Sequence, residues 1–226
     1  MKQNDIIKMF DSIAKSYDLV NRVVSLGIDK KWRVEGVKEA VELINGNKIL
    51  DIACGSGDMI EVWKKFGDFE ICGLDASEEM LKVAKNRFPE IIFYHALAQN
   101  LPCKNASTDV ISISFGLRNV VEIQKAIDEF KRVLRKDGIV LVIEFLKPDK
   151  KNVLRSLVDF YTNFVLPIIG GLISKNFKAY RYLPSSIDNF YTAGELKEMF
   201  EKRGFKLKRF KSFNFSQVGI FIFRKV

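Results

Sequence analysis

The stretch "KILDIACGSGDM", residues 48–59, decides the fold. "KILDIA" (48–53) reads as a strand buried on both faces. Gly55 and Gly57 follow it, and a helical pattern then runs to about Phe66. Without a Cβ, glycine lets the backbone pass close to a ligand. The dinucleotide fingerprint G-x-G-x-x-G would need its last glycine at Ile60, where none stands. Asp51 at the strand end and Asp58 at the helix start would also repel a pyrophosphate. Acidic residues on both sides of the loop suit a cationic ligand, and S-adenosyl-L-methionine, a sulfonium with an amino-acid tail, meets that description. The next strand, "FEICGLD" (69–75), ends in Asp75, where a carboxylate can accept both hydroxyls of a ribose. A tight turn with a helix-capping aspartate is the ligand-free reading of the same residues.

Working outward, strands and helices alternate. Ser77 is placed to cap the helix "EEMLKVAKNRF", with Glu79 in the first turn, where the helix dipole favours a carboxylate. "IIFYHA" (91–96) and "DVISISF" (109–115) are further strands. A helix is expected from about Val121 to Arg135, closed by a turn at Asp137-Gly138, before the strand "IVLVIEF" (139–145). Repeated strand–helix pairs with near-continuous apolar strands predict a Rossmann-like α/β fold with a parallel sheet covered on both faces. After the helix "AGELKEMFEKRGF", the segments "KLKRFKSF" and "SQVGIFIFRKV" predict a hairpin that inserts one antiparallel strand. The expected organisation is one domain over 1–226. It has a helical cap at 1–45, a cofactor-binding core at 46–147, a helical substrate cap at 148–192, and a closing helix and hairpin at 193–226.

Hydrophobic residues at 47% and charged residues at 29% exclude a disordered chain. Cys54, Cys72 and Cys103 have no paired spacing and read as reduced intracellular thiols, neither a disulfide frame nor a metal site. The opening residues carry charges throughout and do not read as a secretory signal. A net charge of +9 favours an anionic surface, although a lysine-rich solvated face would produce it too. "FVLPIIGGLI" (164–173) is too short and too interrupted for a bilayer span, which takes roughly 20 apolar residues. It reads as a buried segment, a greasy wall for an apolar substrate, or a patch dipping into a membrane surface.

"SISFGLRNV" (112–120) raises a separate question. Arg118 and Asn119 stand where a buried strand ends, in a loop where α/β folds place their chemistry. Arg118 is suited to hold an oxyanion in a water-poor pocket, and an ion pair to a carboxylate under the cap is the structural alternative.

These stretches resemble the class I S-adenosylmethionine-dependent methyltransferases. Within them, the chain is similar to the C-methyltransferase family of ubiquinone and menaquinone biosynthesis. "YDLVNRVVSLGIDKKW" (17–32), "FGLRNV" and "AYRYLPSSIDNF" (179–190) look like three separated hallmarks of that family. The chain departs from it at Val20, usually Met, at Asp29, usually His, and at Leu97, usually an Asp that accepts the adenine amino group. Gln99 or a backbone carbonyl would take over that last contact. "RKDG" replaces the usual Lys-Pro-Gly-Gly turn, and "SFNFSQVGIF" matches the last motif loosely.

The resemblance implies a seven-stranded sheet with a reversed final strand and methyl transfer to a quinol ring carbon, most directly demethylmenaquinol to menaquinol. Another small molecule or RNA is the alternative acceptor, and a cofactor-binding scaffold without turnover is a third reading. The implied cofactor site is Asp51, Ala53, Gly55, Gly57, Asp75, Ala76, Gln99 and Ser114. The implied catalytic group is Arg118 and Asn119, with Tyr17 and Tyr180 as partners in proton acceptance. His95 matches no hallmark and is read as structural. The expected partners are a prenylated quinol, an anionic membrane surface and a second copy of the chain as a homodimer, with no nucleic acid. The expected location is cytoplasmic, peripheral on the inner face of the membrane.

Overall fold

The computed structural model describes residues 1–147, 161–213 and 217–226. Its seven strands are β1 (Lys48–Ile52), β2 (Glu70–Asp75), β3 (Ile92–His95), β4 (Thr108–Ser114), β5 (Leu134–Phe145), β6 (Phe205–Phe213) and β7 (Val218–Lys225). They form one sheet in the order β3-β2-β1-β4-β5-β7-β6. The first five strands pair in parallel, and β7 alone runs against its neighbours, wedged between β5 and β6. This is the sheet the alternation and the C-terminal hairpin predict.

Both faces are covered because the central strands are apolar almost without a break, and successive side chains point to opposite faces. Ile49, Val110, Leu141 and Ile222 pack with Trp63 on one face. Leu50, Ile111, Val142 and Phe223 pack with Phe130 and Phe200 on the other. The helix α5 (Ile123–Val133) shows how the sequence fits that face. Its buried residues Ile123, Ala126, Ile127, Phe130 and Val133 recur at helical spacing.

That helix ends earlier than expected. Ala106 N–H bonds the carbonyl of Arg132, Ser107 N–H bonds that of Val133, and Thr108 pairs with Leu134, so the chain joins the sheet at once. Asp137 adopts a left-handed φ of 62°, and a Cβ on Gly138 would lie 3.0 Å from the Asp109 carbonyl. Asp137-Gly138 is thus a kink inside β5, not the boundary before it.

The helix α1 (Gln3–Val24) lies over the carboxyl ends of the parallel strands with α6 (Leu166–Ser174) and α7 (Phe177–Asp188), whereas α2 (Ile28–Val41) packs on one face of the sheet against β5 and β7, with its first turns reaching the strand ends. The remaining helices are α3 (Asp58–Trp63), α4 (Glu78–Arg87) and α8 (Ala193–Glu201). A Cβ on Gly170 or Gly171 would strike the ring of Tyr180 or Phe177, so these glycines let α7 press against α6. The order turns back between β1 and β4, and ligands bind in doubly wound sheets at such a switch point.

Candidate active site

A first cavity opens above the ends of β1, β2 and β4. It is bordered by Ala53, Gly55, Asp75, Ala76, Gln99, Ser114 and Asn119, and also by Leu97. Gly55 has φ of 54°, open space where a Cβ would stand, and an N–H that donates to Asp75 Oδ2 at 2.8 Å. Ser77 N–H donates to Asp75 Oδ1 at 2.8 Å, and Ser77 Oγ accepts from Met80 N–H as the expected helix cap. Burial raises the Asp75 pKa, and the backbone N–H groups of Ser77, Gly55 and Ala76 oppose the rise. Ser114 Oγ is buried there with no protein partner, a polar atom that a ligand could satisfy. Gln3, Ile6, Ile7 and Phe10 of α1 roof the cavity. The Gln3 amide clasps the far side, donating to Asn119 O at 3.2 Å and accepting from Val121 N–H at 3.0 Å.

Asp51 and Gly57 do not border this cavity. Asp51 Oδ1 accepts from Ser112 Oγ at 2.7 Å inside the sheet, and Trp63 Nε1 donates to the same hydroxyl. Asp51 Oδ2 is buried without a partner, and desolvation lifts its pKa to about 7. Gly57, at φ of 93°, begins α3, and a Cβ there would strike the Phe88 ring. Asp58 is claimed by Arg87 at 3.0 Å. The acidic pair that suggests a cation from sequence is therefore turned away from the cavity. Asp75 is the carboxylate that remains. His95 Nε2 lies 2.9 Å from Ala76 O, at the surface.

A second cavity, of about 420 Å³, meets the first at Phe10, Tyr17 and Phe115. Trp32, Phe115 and Phe145 form an aromatic wall, with Phe115 and Phe145 centroids 4.9 Å apart. Arg118 lies over Phe145 at 5.4 Å and borders the cavity. Its Nη1 donates to Glu144 Oε1 at 2.6 Å and to Phe115 O at 2.7 Å, and its Nε donates to Ser186 Oγ at 3.2 Å. Both members of this ion pair are buried. So Arg118 does form an ion pair under the cap, and it also faces the cavity. The pair braces Phe115, whose φ of 57° is a strained conformation for an aromatic residue. Asn119 Oδ1 accepts from the Tyr182 hydroxyl at 3.1 Å.

Tyr17 borders both cavities and Tyr180 the second. Burial raises both phenols above the usual range, and Tyr180 Oη has no protein partner. At neutral pH each is a neutral hydroxyl, able to donate or accept a hydrogen bond. Among the described side chains of 164–173 none borders the cavity, so they do not form its greasy wall. Phe164, Ile168 and Leu172 instead stand exposed on the outer surface.

Sequence reasoning missed Glu144, Asp29 and Arg33 as site residues. Glu144 carried a signal, a charge inside the apolar run "IVLVIEF". Asp29 and Arg33 also carried one, opposite charges four residues apart on a helix. Their Nη1–Oδ2 pair, at 2.6 Å, is buried beside the cavity.

Residues 1–225 match the ubiE/COQ5 methyltransferase family. The chain belongs to that family. It is 46% identical to the ubiquinone/menaquinone biosynthesis C-methyltransferase UbiE of Campylobacter jejuni, over 100% of this chain and 99% of the relative. It is 40% identical to the demethylmenaquinone methyltransferase of Thermotoga maritima, over 96% and 94%. Solved structures share the fold. A SAM-dependent methyltransferase from Thermotoga maritima superposes with a TM-score of 0.68 at 18% identity, covering 97% of this chain and 99% of the other. Another from Aquifex aeolicus gives 0.64 at 17%, covering 95% and 97%. As a ubiE/COQ5 family member the protein is a methyltransferase, and membership implies S-adenosylmethionine as the methyl donor. The first cavity fits that donor chemically. It joins a carboxylate, an unpartnered buried hydroxyl and an amide to apolar walls.

If Asp75 holds the ribose, Asp75→Ala should weaken S-adenosylmethionine binding by roughly 1.5–3 kcal/mol, as for a hydrogen bond to a charged group. Titration calorimetry measures it, and an unchanged affinity removes the assignment.

Proposed function

We propose that the protein transfers a methyl group from S-adenosylmethionine to a ring carbon of a prenylated quinol, converting demethylmenaquinol to menaquinol. The observation that carries this reading is the large aromatic-walled cavity holding Arg118, joined to the first cavity at Tyr17 and Phe115. The names of the UbiE and demethylmenaquinone methyltransferase relatives support it.

When bound, S-adenosylmethionine supplies an electrophilic methyl group on a sulfonium. The residues must make the ring carbon a nucleophile, which requires ionising the neighbouring phenol. A phenol with a pKa near 10 costs about 4 kcal/mol to ionise at pH 7. Arg118 is held over Phe145 by Glu144 and Ser186, and so is preorganised to stabilise a phenolate where water is scarce. Asp75 and Gly55 would hold the cofactor's ribose side, Gln99 would take the adenine in place of the usual Asp, and Ser114 would satisfy a further polar atom. Asn119 keeps the loop in place, and a water held by Arg118, Tyr17 or Tyr180 takes the proton.

The quinol reaches the cavity from the cytoplasmic face of a membrane. Leu26, 83% exposed, borders the cavity, and Leu19, Val23, Ile168 and Leu172 are exposed on α1 and α6, which pack together. Lys147 lies among the described residues, whereas Lys150, Lys151 and Arg155 of the expected basic cluster fall outside them. No helix among the described residues is long and apolar enough to cross a bilayer, so contact would be peripheral.

The test supplies labelled S-adenosylmethionine with demethylmenaquinol in anionic vesicles, a demethoxy-type benzoquinol, or bulk RNA. Label should enter the naphthoquinol, and the rate should fall as salt screens the surface. Labelling of RNA alone would overturn the reading.

A further inference from the structure

Arg118 has a counterpart across the aromatic wall. Arg33 borders the same cavity and lies over the Phe115 ring at 5.1 Å, as Arg118 lies over Phe145 at 5.4 Å. Each guanidinium gives its Nη1 to one buried carboxylate at 2.6 Å, Asp29 for Arg33 and Glu144 for Arg118. Among the described residues neither Nη2 makes a hydrogen bond, and Arg33 Nε is buried without one. A guanidinium carries five N–H donors, so Arg33 is far from satisfied by protein alone. Ser25 Oγ donates to Asp29 Oδ1 at 2.7 Å, which fixes the carboxylate that aims Arg33. Tyr17, at the junction of the cavities, has its hydroxyl pKa pulled down by both Arg118 and Arg33 against the larger effect of burial.

A 1,4-quinol ring has two oxygens on opposite edges. Only the one beside the methylated carbon needs to ionise. The other, left as a hydroxyl, has lone pairs that require a donor once the ring is buried. We propose that Arg33, aimed by Asp29, binds this second oxygen and so selects 1,4-quinols over simple phenols. Arg118 sits in the loop that also borders the first cavity through Asn119, which assigns it the reacting oxygen. Arg33 is then a substrate-binding residue and Asp29 a positioning residue. This inference rests on the quinol reading above.

The experiment compares demethylmenaquinol with a matched prenylated naphthol that lacks the second hydroxyl. Readouts are kcat/KM and Kd, the latter by quenching of tryptophan fluorescence, since Trp32 borders the cavity. The wild type should prefer the quinol by roughly 10- to 100-fold, the range for one hydrogen bond to a charged group. The double variant Asp29→Asn/Arg33→Gln removes both charges together and avoids stranding one of them. It should lose most of the preference through a fall in quinol kcat/KM and a rise in quinol Kd, while melting and cofactor affinity stay near wild type. Asp29→Asn alone keeps an acceptor beside Arg33 but strands its charge, so it should melt lower than the double variant and, in its folded fraction, show a reduced preference; the result then does not hang on one variant. A wild type that turns over both phenols equally overturns the inference alone, and so do variants that keep the full preference. Loss of cofactor affinity in the double variant would place Arg33 on the cofactor and overturn it too. Turnover of neither phenol by the wild type overturns the quinol reading and this inference together.

Discussion

Arg118→Met should cost the protein both stability and turnover. Arg118 and Glu144 are buried, and Glu144 has no accessible side-chain surface. Removing the guanidinium leaves that carboxylate unpaired, and breaking one side of a buried pair costs about 3–5 kcal/mol. Arg118 also holds the Phe115 carbonyl at a strained turn, which adds to the loss. The companion Arg118→Met/Glu144→Gln has no buried charge to strand, so it should melt much closer to wild type in urea. Turnover separates the two roles. If Arg118 stabilises the phenolate, the double variant should fold and bind cofactor yet remain about 100- to 1000-fold slow in single-turnover assays. A folded double variant with full turnover would show that Arg118 is only a brace.

Asp51→Asn should stabilise the cofactor-free protein, by an amount that depends on pH. Desolvation raises the folded-state pKa of Asp51 from 3.8 to about 7. Between those values the folded chain keeps a proton that the unfolded chain releases, so stability falls as pH rises. The penalty is absent below pH 3.8 and complete above pH 7. At about 1.4 kcal/mol per unit, it reaches roughly 4 kcal/mol as an upper figure. Asparagine keeps an acceptor for Ser112 Oγ, which donates to Asp51 now, and carries no charge. Urea melts at pH 4, 6 and 8 should show the variant matching wild type at pH 4 and exceeding it increasingly towards pH 8. A gap that does not change with pH would mean that Asp51 is already solvated in the fold.

Much of the sheet could be read along the chain because its signals are local. Apolar β-branched runs mark β1, β4 and β5, Ser77 caps α4, and the C-terminal hairpin gives β7 its reversed direction. The misplaced end of α5 has a long-range cause. Leu134 through Asp137 were claimed by pairing at Thr108 and by a left-handed kink, and neither shows in the local pattern.

The candidate site divides the same way. Gly55 and Asp75 were legible because a positive φ and a carboxylate at a strand end answer to residue type and position. The direction of Asp51 and Asp58 was not. Both flank the glycine loop in sequence, yet one points into the sheet towards Ser112 and the other outward to Arg87. By itself the sequence determined the sheet, the glycine loop, Asp75 and the family hallmarks, because periodicity, caps and motif spacing act over a few residues. Only the tertiary structure decided that Glu144 clamps Arg118, that Asp29 clamps Arg33, and that α1 and α7 roof one continuous pair of cavities. Those contacts join segments far apart in the chain or depend on which helix face is buried, and desolvation and charge pairing act only once packing has brought the groups together.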